Sequence, residues 1–274
     1  MMNRDDILIE VDQLMSKLDD GNLRIYDASM MFFRQESDPT AYEEYVRGCI
    51  PNAAFFDHEV FSDPAAKYGY TVLPEPALFD QIGKIGIGAE SEVVLYGNFL
   101  PSATRAWWIL HYAGHDHVRI LNGGLTAWRR AGGPVGQGEH RYEPTTFKAD
   151  LRSGVFASKE EVLAALEDSD SCVVNTLNIA MYEQARIAGS SLQSALELMQ
   201  DMESFRPDDV LAARLEKEAQ HRRIITYFGG GIAATVNAVA QLMAGNKNVA
   251  VYDGSMNEWL GEGLPTLKGK SKNT

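Results

Sequence analysis

The run Phe228-Gly229-Gly230-Gly231-Ile232-Ala233 follows an apolar stretch, Ile224-Ile225-Thr226-Tyr227, and precedes residues whose apolar positions recur at three and four. A glycine-rich loop between a strand and a helix can turn its backbone amides inward, where they hold an anion or the oxyanion of a reaction. The same glycines also suit a tight turn with no ligand, and turn chemistry alone leaves both readings open. Phe228, at the mouth of the loop, supplies neither a nucleophile nor a titrating proton. The two thiols lie elsewhere. Cys172 opens the apolar run Cys172-Val173-Val174 and reads as core. Cys49 precedes Ile50-Pro51, where a small half-buried apolar residue is the plain reading and a displaced nucleophile the sharper one. Asp27 closes an early apolar stretch and is suited to holding a turn. Arg34 follows Met30-Met31-Phe32-Phe33, a run that reads as interdomain packing or as an apolar wall, and supplies a cation beside it. His115 and His117 face one way across Asp116 but have no third ligand nearby in sequence, so they read as a solvated turn and no metal is expected.

The elements that must position these residues are written twice. Residues 93–134 and 224–265 align without a gap: Tyr96 and Tyr227, Thr104 and Thr235, Gly114 and Gly245, Gly123 and Gly254, Trp128 and Trp259, and Pro134 and Pro265 are all 131 apart. A shared offset over such a length means two copies of one structural unit. Each copy reads as an apolar strand, a loop, a helix ended by a glycine and a second strand, which is a parallel crossover. More weakly, Leu23 to Ala28 echoes Cys172 to Thr176, and the turn at Cys49-Ile50-Pro51-Asn52-Ala53 echoes Arg186-Ile187-Ala188-Gly189-Ser190. The expectation is an α/β chain of two tandem domains, 1–138 and 153–274, joined by a linker at 139–152, each a mostly parallel sheet flanked by helices. Residues 192–222 read as mostly helical, with Leu192, Ala195, Leu196 and Met199 on one face and a restart after Pro207.

At 274 residues each half can bury a core of its own. A net charge of −13 opposes a phosphate backbone, and the only cationic run is the short tail at 268–272, so no nucleic-acid partner is expected. No stretch nears the roughly 18 apolar residues that span a bilayer, and the acidic start lacks the pattern of a signal peptide, so no membrane partner and a cytoplasmic location are expected. Two cysteines in different halves give no disulfide framework.

Across nearly its whole length the chain resembles the tandem-rhodanese family, the thiosulfate and 3-mercaptopyruvate sulfurtransferases. The resemblance rests on Tyr26-Asp27-Ala28-Ser29, on Ile50-Pro51-Asn52-Ala53-Ala54-Phe55-Phe56-Asp57 and on Arg105-Ala106-Trp107-Trp108. It rests equally on Leu121-Asn122-Gly123-Gly124-Leu125-Thr126-Ala127-Trp128 and on Tyr252-Asp253-Gly254-Ser255-Met256-Asn257-Glu258-Trp259. It implies two rhodanese-like domains, the first non-catalytic, and a second-domain loop that opens with a sulfur-carrying cysteine. That position is Phe228 here. The loop's serine is matched by Gly230 and its threonine by Ala233, while the substrate-facing arginine is matched by Leu177 and the histidine of the Gly-His-Ile-Pro turn by Cys49 or Arg186. Loss of a covalent nucleophile costs on the order of 10⁴ to 10⁶ in rate. The expectation is therefore a family member without persulfide transfer and without a cofactor, which binds a small anionic or apolar molecule, or a protein partner, in the interdomain cleft. The alternative is an active enzyme that uses Cys49 as a displaced thiol or the amides of Gly229, Gly230 and Gly231 as an oxyanion site.

Overall fold

The computed structural model describes residues 2–31 and 34–270; Phe32 and Phe33 of the apolar run and the end of the basic tail lie outside the described residues. The first half contains β1 (Leu8–Ile9), β2 (Leu23–Asp27), β3 (Ala54–Phe55), β4 (Glu92–Tyr96) and β5 (Val118–Leu121), in the sheet order β1-β5-β4-β2-β3. The second contains β6 (Phe156–Ala157), β7 (Ser171–Asn175), β8 (Arg186–Ile187), β9 (Ser191–Leu192), β10 (Arg223–Tyr227), β11 (Val249–Tyr252) and β12 (Thr266–Leu267). Its main sheet runs β6-β11-β10-β7-β9, and β8 and β12 form a separate antiparallel pair. Every pairing within the two five-stranded sheets is parallel. The chain is thus α/β in two like halves.

The residues that repeat at 131 perform the same task in each half. Tyr96 accepts the amide of Ile50 on its hydroxyl at 3.2 Å, and Tyr227 accepts that of Ile187 at 3.0 Å. Trp128 donates its indole N–H to the Pro134 carbonyl at 2.7 Å, and Trp259 donates to that of Pro265 at 2.9 Å. Such bonds satisfy the polar end of a large buried side chain. Gly114 and Gly245 end their helices at φ +88 and +91, the left-handed conformation that glycine adopts without strain.

The helices Leu100–Tyr112 and Ala234–Met243 pack against each other, and one apolar cluster runs through both into the two sheets, including Trp107, Leu110, Val236 and Val239. Thr104 and Thr235, equivalent by the repeat, meet hydroxyl to hydroxyl at 2.8 Å. A residue in contact with its own repeat lies beside the local two-fold axis, so these helices form the axis of the molecule.

Two regions depart from the sequence reading. Residues 192–222 contain short helices, Ala195–Leu198 and Asp208–Arg214, and a 3-10 turn at Glu218–Gln220; Leu192 belongs to β9, and Leu196 is exposed. Ala195, Leu198, Phe205, Leu211 and Leu215 of the segment still pack in one cluster with Val174 and Ile224 of the C-terminal sheet, and the segment also reaches the opposite half, where the carbonyls of Met202 and Glu203 accept the amides of Leu100 and Gly123. His115 is not at a solvated turn. It is buried, with its ring against that of Phe147. Residues 139–152 run along the N-terminal half, with the Thr145 amide on the Gly83 carbonyl and Phe147 buried.

Candidate functional site

Strand β10 lies between β7 and β11, and the chain leaves β7 for one side of the sheet and β10 for the other. Such a switch point opens a crevice beyond the carboxyl ends of the strands, where ligands of α/β proteins bind. The 228–233 loop emerges there. Thr176, just past β7, closes its base by giving both its amide and its hydroxyl to the Tyr227 carbonyl, each at 2.9 Å.

Residues outside the loop fix its course. Ser255, at φ +49, donates its hydroxyl to the Tyr252 carbonyl at 2.7 Å and accepts the Phe228 amide at 3.1 Å. A left-handed serine is uncommon, and here the two hydrogen bonds hold it. The amides of Met256 and Asn257 close on the carbonyls of Phe228 and Gly229 at 3.1 and 2.9 Å. Gly231 has φ +76, and a Cβ on it would stand 2.6 Å from the Asp253 carbonyl oxygen. Only glycine fits that position. Gly229 differs, for its φ is not left-handed and a Cβ there would meet open space; one on Gly230 would touch only the Asn257 side-chain amide, at 3.0 Å. Among the described residues the amides of Gly229, Gly230, Gly231, Ile232 and Ala233 donate to no protein acceptor.

Phe228 is half-buried and packs against apolar clusters on both sides of the sheet. Beneath the loop, Asp253 receives Arg105 at 2.6 Å on one carboxylate oxygen and the Val72 amide at 2.8 Å on the other. The second guanidinium arm of Arg105 donates to the Tyr70 carbonyl. Arg105 and Val72 belong to the N-terminal half, so this buried ion pair clamps one half to the other directly under Gly231. Arg105 and Asp253 both stand in motifs that carry the family resemblance, and the local sign of their pairing is a lone arginine in the apolar run Ala103 to Leu110.

The other candidates are dispersed. Cys49 is buried in an N-terminal cluster separate from those of Phe228, exchanges backbone hydrogen bonds with Gly136, and has its pKa raised by burial first and then by Asp27. Cys172 is partly buried in β7, its pKa pushed up to about 12 by burial and then by Glu218. Neither thiol is primed to be a thiolate. Asp27 is buried, accepts the Ser29 amide at 2.9 Å and has its pKa raised to about 6 by burial, so it holds the turn after β2. Arg34 is exposed at a cavity on the N-terminal half. Leu177 is buried among Val173, Ile187 and Tyr227, with its backbone amide on Asn175, and presents no polar group to the crevice. Arg186 is buried too, spent on the Gly269 carbonyl and lying over the Tyr182 ring at 4.6 Å. Among the described residues no group of three metal-ligating side chains is present, and no helix is long and apolar enough to cross a membrane.

A family model described as a rhodanese-like domain matches residues 10–131 and 158–262. The thiosulfate sulfurtransferase of Cricetulus griseus is 30% identical over 263 residues, covering 90% of this chain and 88% of its own. The 3-mercaptopyruvate sulfurtransferase of Escherichia coli (strain K12) is 29% identical over 266 residues, 92% of this chain and 94% of its own. The crystal structure of SseA from Escherichia coli, a 3-mercaptopyruvate sulfotransferase, superposes with a TM-score of 0.82 at 26% identity, over 93% of this chain and 99% of that one.

Proposed function

We propose, from the premise that the chain belongs to the rhodanese-like sulfurtransferase family, that it has left persulfide transfer behind and uses the crevice around the 228–233 loop to bind. The observation that carries this reading is Phe228 itself, a phenyl group at the position to which the family resemblance assigns the sulfur-carrying cysteine. A persulfide needs a thiolate that attacks and then stores sulfur, and a phenyl ring does neither. Neither remaining thiol takes over, because burial raises the pKa of both Cys49 and Cys172. The occupant is a small anionic or apolar molecule, with its anion on the loop amides and its apolar part on Phe228, or a protein segment of the same chemistry. The place of action is the cytoplasm, in keeping with two unpaired cysteines.

The test is purified protein with thiosulfate or 3-mercaptopyruvate and cyanide. Thiocyanate is expected to form no faster than in buffer, and the intact mass is expected to gain no sulfur. Turnover on the order of 1 per second or above would overturn the reading. The open amides of Gly229 to Ala233 favour one second reading, a reaction of another class in which they stabilise an oxyanion. Its mark would be turnover of an ester or acyl substrate that is lost on Gly230→Pro, which removes one of those amides.

A further inference from the structure

Residues 199–205 of the C-terminal half form a hairpin that crosses to the N-terminal half. Met199 and Phe205 close its base in an antiparallel bridge and are buried, whereas Asp201 and Met202 at its tip are exposed. The tip rests beyond the carboxyl ends of β4 and β5. There the Met202 carbonyl accepts the Leu100 amide at 2.6 Å and the Glu203 carbonyl accepts that of Gly123 at 3.0 Å. The two carboxylate oxygens of Glu203 accept the amide and the hydroxyl of Thr126. A Cβ on Gly124 would collide with this carboxylate and would stand 3.1 Å from the Gly97 carbonyl oxygen. The missing side chain at 124 is thus what lets Glu203 settle over the end of β4.

Asp27 lies beneath this tip. It ends β2 in register with Tyr96 of β4, and the Ala28 amide beside it bonds the Tyr96 carbonyl at 2.7 Å, one residue before Gly97. Its carboxyl is buried and forms no ion pair among the described residues. Around it stand the Tyr96 hydroxyl from β4, the Cys49 thiol from the turn before β3, His58 on the Ala28 carbonyl, and Glu203 from the hairpin. Burial holds the tyrosine and the thiol above their ordinary pKa values and His58 at about 4, so these three keep their charge between roughly pH 5 and pH 8. Burial first, with the Glu203 charge among the further causes, raises Asp27 to about 6.

We propose that the hairpin 199–205 is a strap between the halves whose tip is released when Asp27 ionises beneath it. A second negative charge under Glu203 repels the strap and demands water, and lifting the tip relieves both. The tip can lift as a unit because its base is anchored by Met199 and Phe205, while the Arg105–Asp253 clamp keeps the halves joined. The seated strap goes with the raised pKa of Asp27, so it is favoured in acid and loses ground as pH rises through about 6. The strap does not depend on the reading of the 228–233 loop.

Amide hydrogen exchange of the full chain tests it, followed by residue at roughly pH 5 and pH 7.5 and corrected for the intrinsic pH dependence of exchange. Leu100 and Gly123 report directly, since their amides are given to the tip. Their protection is expected to fall on going to the higher pH by about threefold or more, and by about a hundredfold if release returns Asp27 from about 6 to about 3.9. Val94 and Ile225, in central strands, are expected to keep theirs. Asp27→Asn should abolish the fall and leave the strap seated at both pH values. Glu203→Gln, which keeps an acceptor for Thr126 but removes the charge, should reduce it. Protection independent of pH, a fall that survives either substitution unchanged, or an equal fall at Val94 and Ile225 would overturn the proposal.

Discussion

Replacing Phe228 with cysteine would measure what the loop backbone does to an anion. The amides of Gly229 to Ala233 are uncommitted and lead into the ten-residue helix Ala234–Met243. A helix N-terminus favours a nearby anion by about 0.3–1 kcal/mol, and by about 2 in a partly buried setting. At 1.36 kcal/mol per pKa unit, a thiol that starts near 8.5 should fall by about one unit, to roughly 7.5, with partial burial of position 228 opposing a larger drop. The pH dependence of alkylation by iodoacetamide reads this directly. Cys49 and Cys172 stay silent between pH 6 and roughly 8, because burial raises both. A pKa at or above roughly 8.5 would refute the reasoning, for it would mean that the amides do not converge on the side chain of residue 228. Transfer from mercaptopyruvate should stay poor in this variant. Leu177, where the family resemblance expects an arginine, is buried in an apolar cluster, so no cation receives the substrate carboxylate.

Three further substitutions probe the frame. Arg105→Met leaves Asp253 without its ion-pair partner in the interface between the halves, and should lower stability to urea by about 3–5 kcal/mol; a loss below about 1 kcal/mol would show that the clamp is not coupled to folding. Gly231→Ala should cost about 2 kcal/mol or more, because of φ +76 and the Asp253 carbonyl at 2.6 Å, whereas Gly229→Ala should stay within about 1 kcal/mol; equal losses in thermal denaturation would contradict the distinction. Asp27 titrates at about 6 in the folded chain against about 3.9 unfolded, so its contribution is fully present below about pH 4 and is lost as pH rises through 6. Asp27→Asn should therefore gain on the wild type by up to about 3 kcal/mol between pH 4 and 7. A difference that stays flat with pH would show that the carboxyl is not held neutral.

What the sequence made legible is what repeats. Tyr96 and Tyr227, and Trp128 and Trp259, stand out at a fixed offset because each pair makes the same bond in both halves, and Thr104 and Thr235 because they meet each other at the axis. Away from that axis, contacts that join the halves do not repeat. Arg105 meets Asp253 across 148 residues, and the partner of Arg105 in the second helix is Val236, so periodicity gave no hint of the pair. The same limit explains 192–222. Its apolar spacing is helical, but Leu192 is drawn into the edge of a sheet beside Asn175, and the carbonyls of Met202 and Glu203 are committed to the first half. For the site, the loop was legible as backbone and illegible as surroundings. Nothing local in sequence places Cys49 on Gly136, or Arg34 at a cavity with His58.

The three glycines of the loop answer to different causes, and this bears on what the loop is for. Gly231 is required by the fold, since its backbone is left-handed and pressed on Asp253. The bonds that hold the rest run from Ser255, Met256 and Asn257 to backbone atoms of Phe228 and Gly229, and none involves the side chain at 228. The frame is therefore indifferent to whether that side chain can carry sulfur, which is how a phenylalanine can occupy it while the loop keeps its course. A turn alone would explain Gly231. It does not explain Gly229, where the backbone is not left-handed and a Cβ has open space, and where alanine would stabilise the fold by lowering the entropy of the unfolded chain. The absence of a side chain there leaves open space beside uncommitted amides, which is what the proposed occupant of the loop requires.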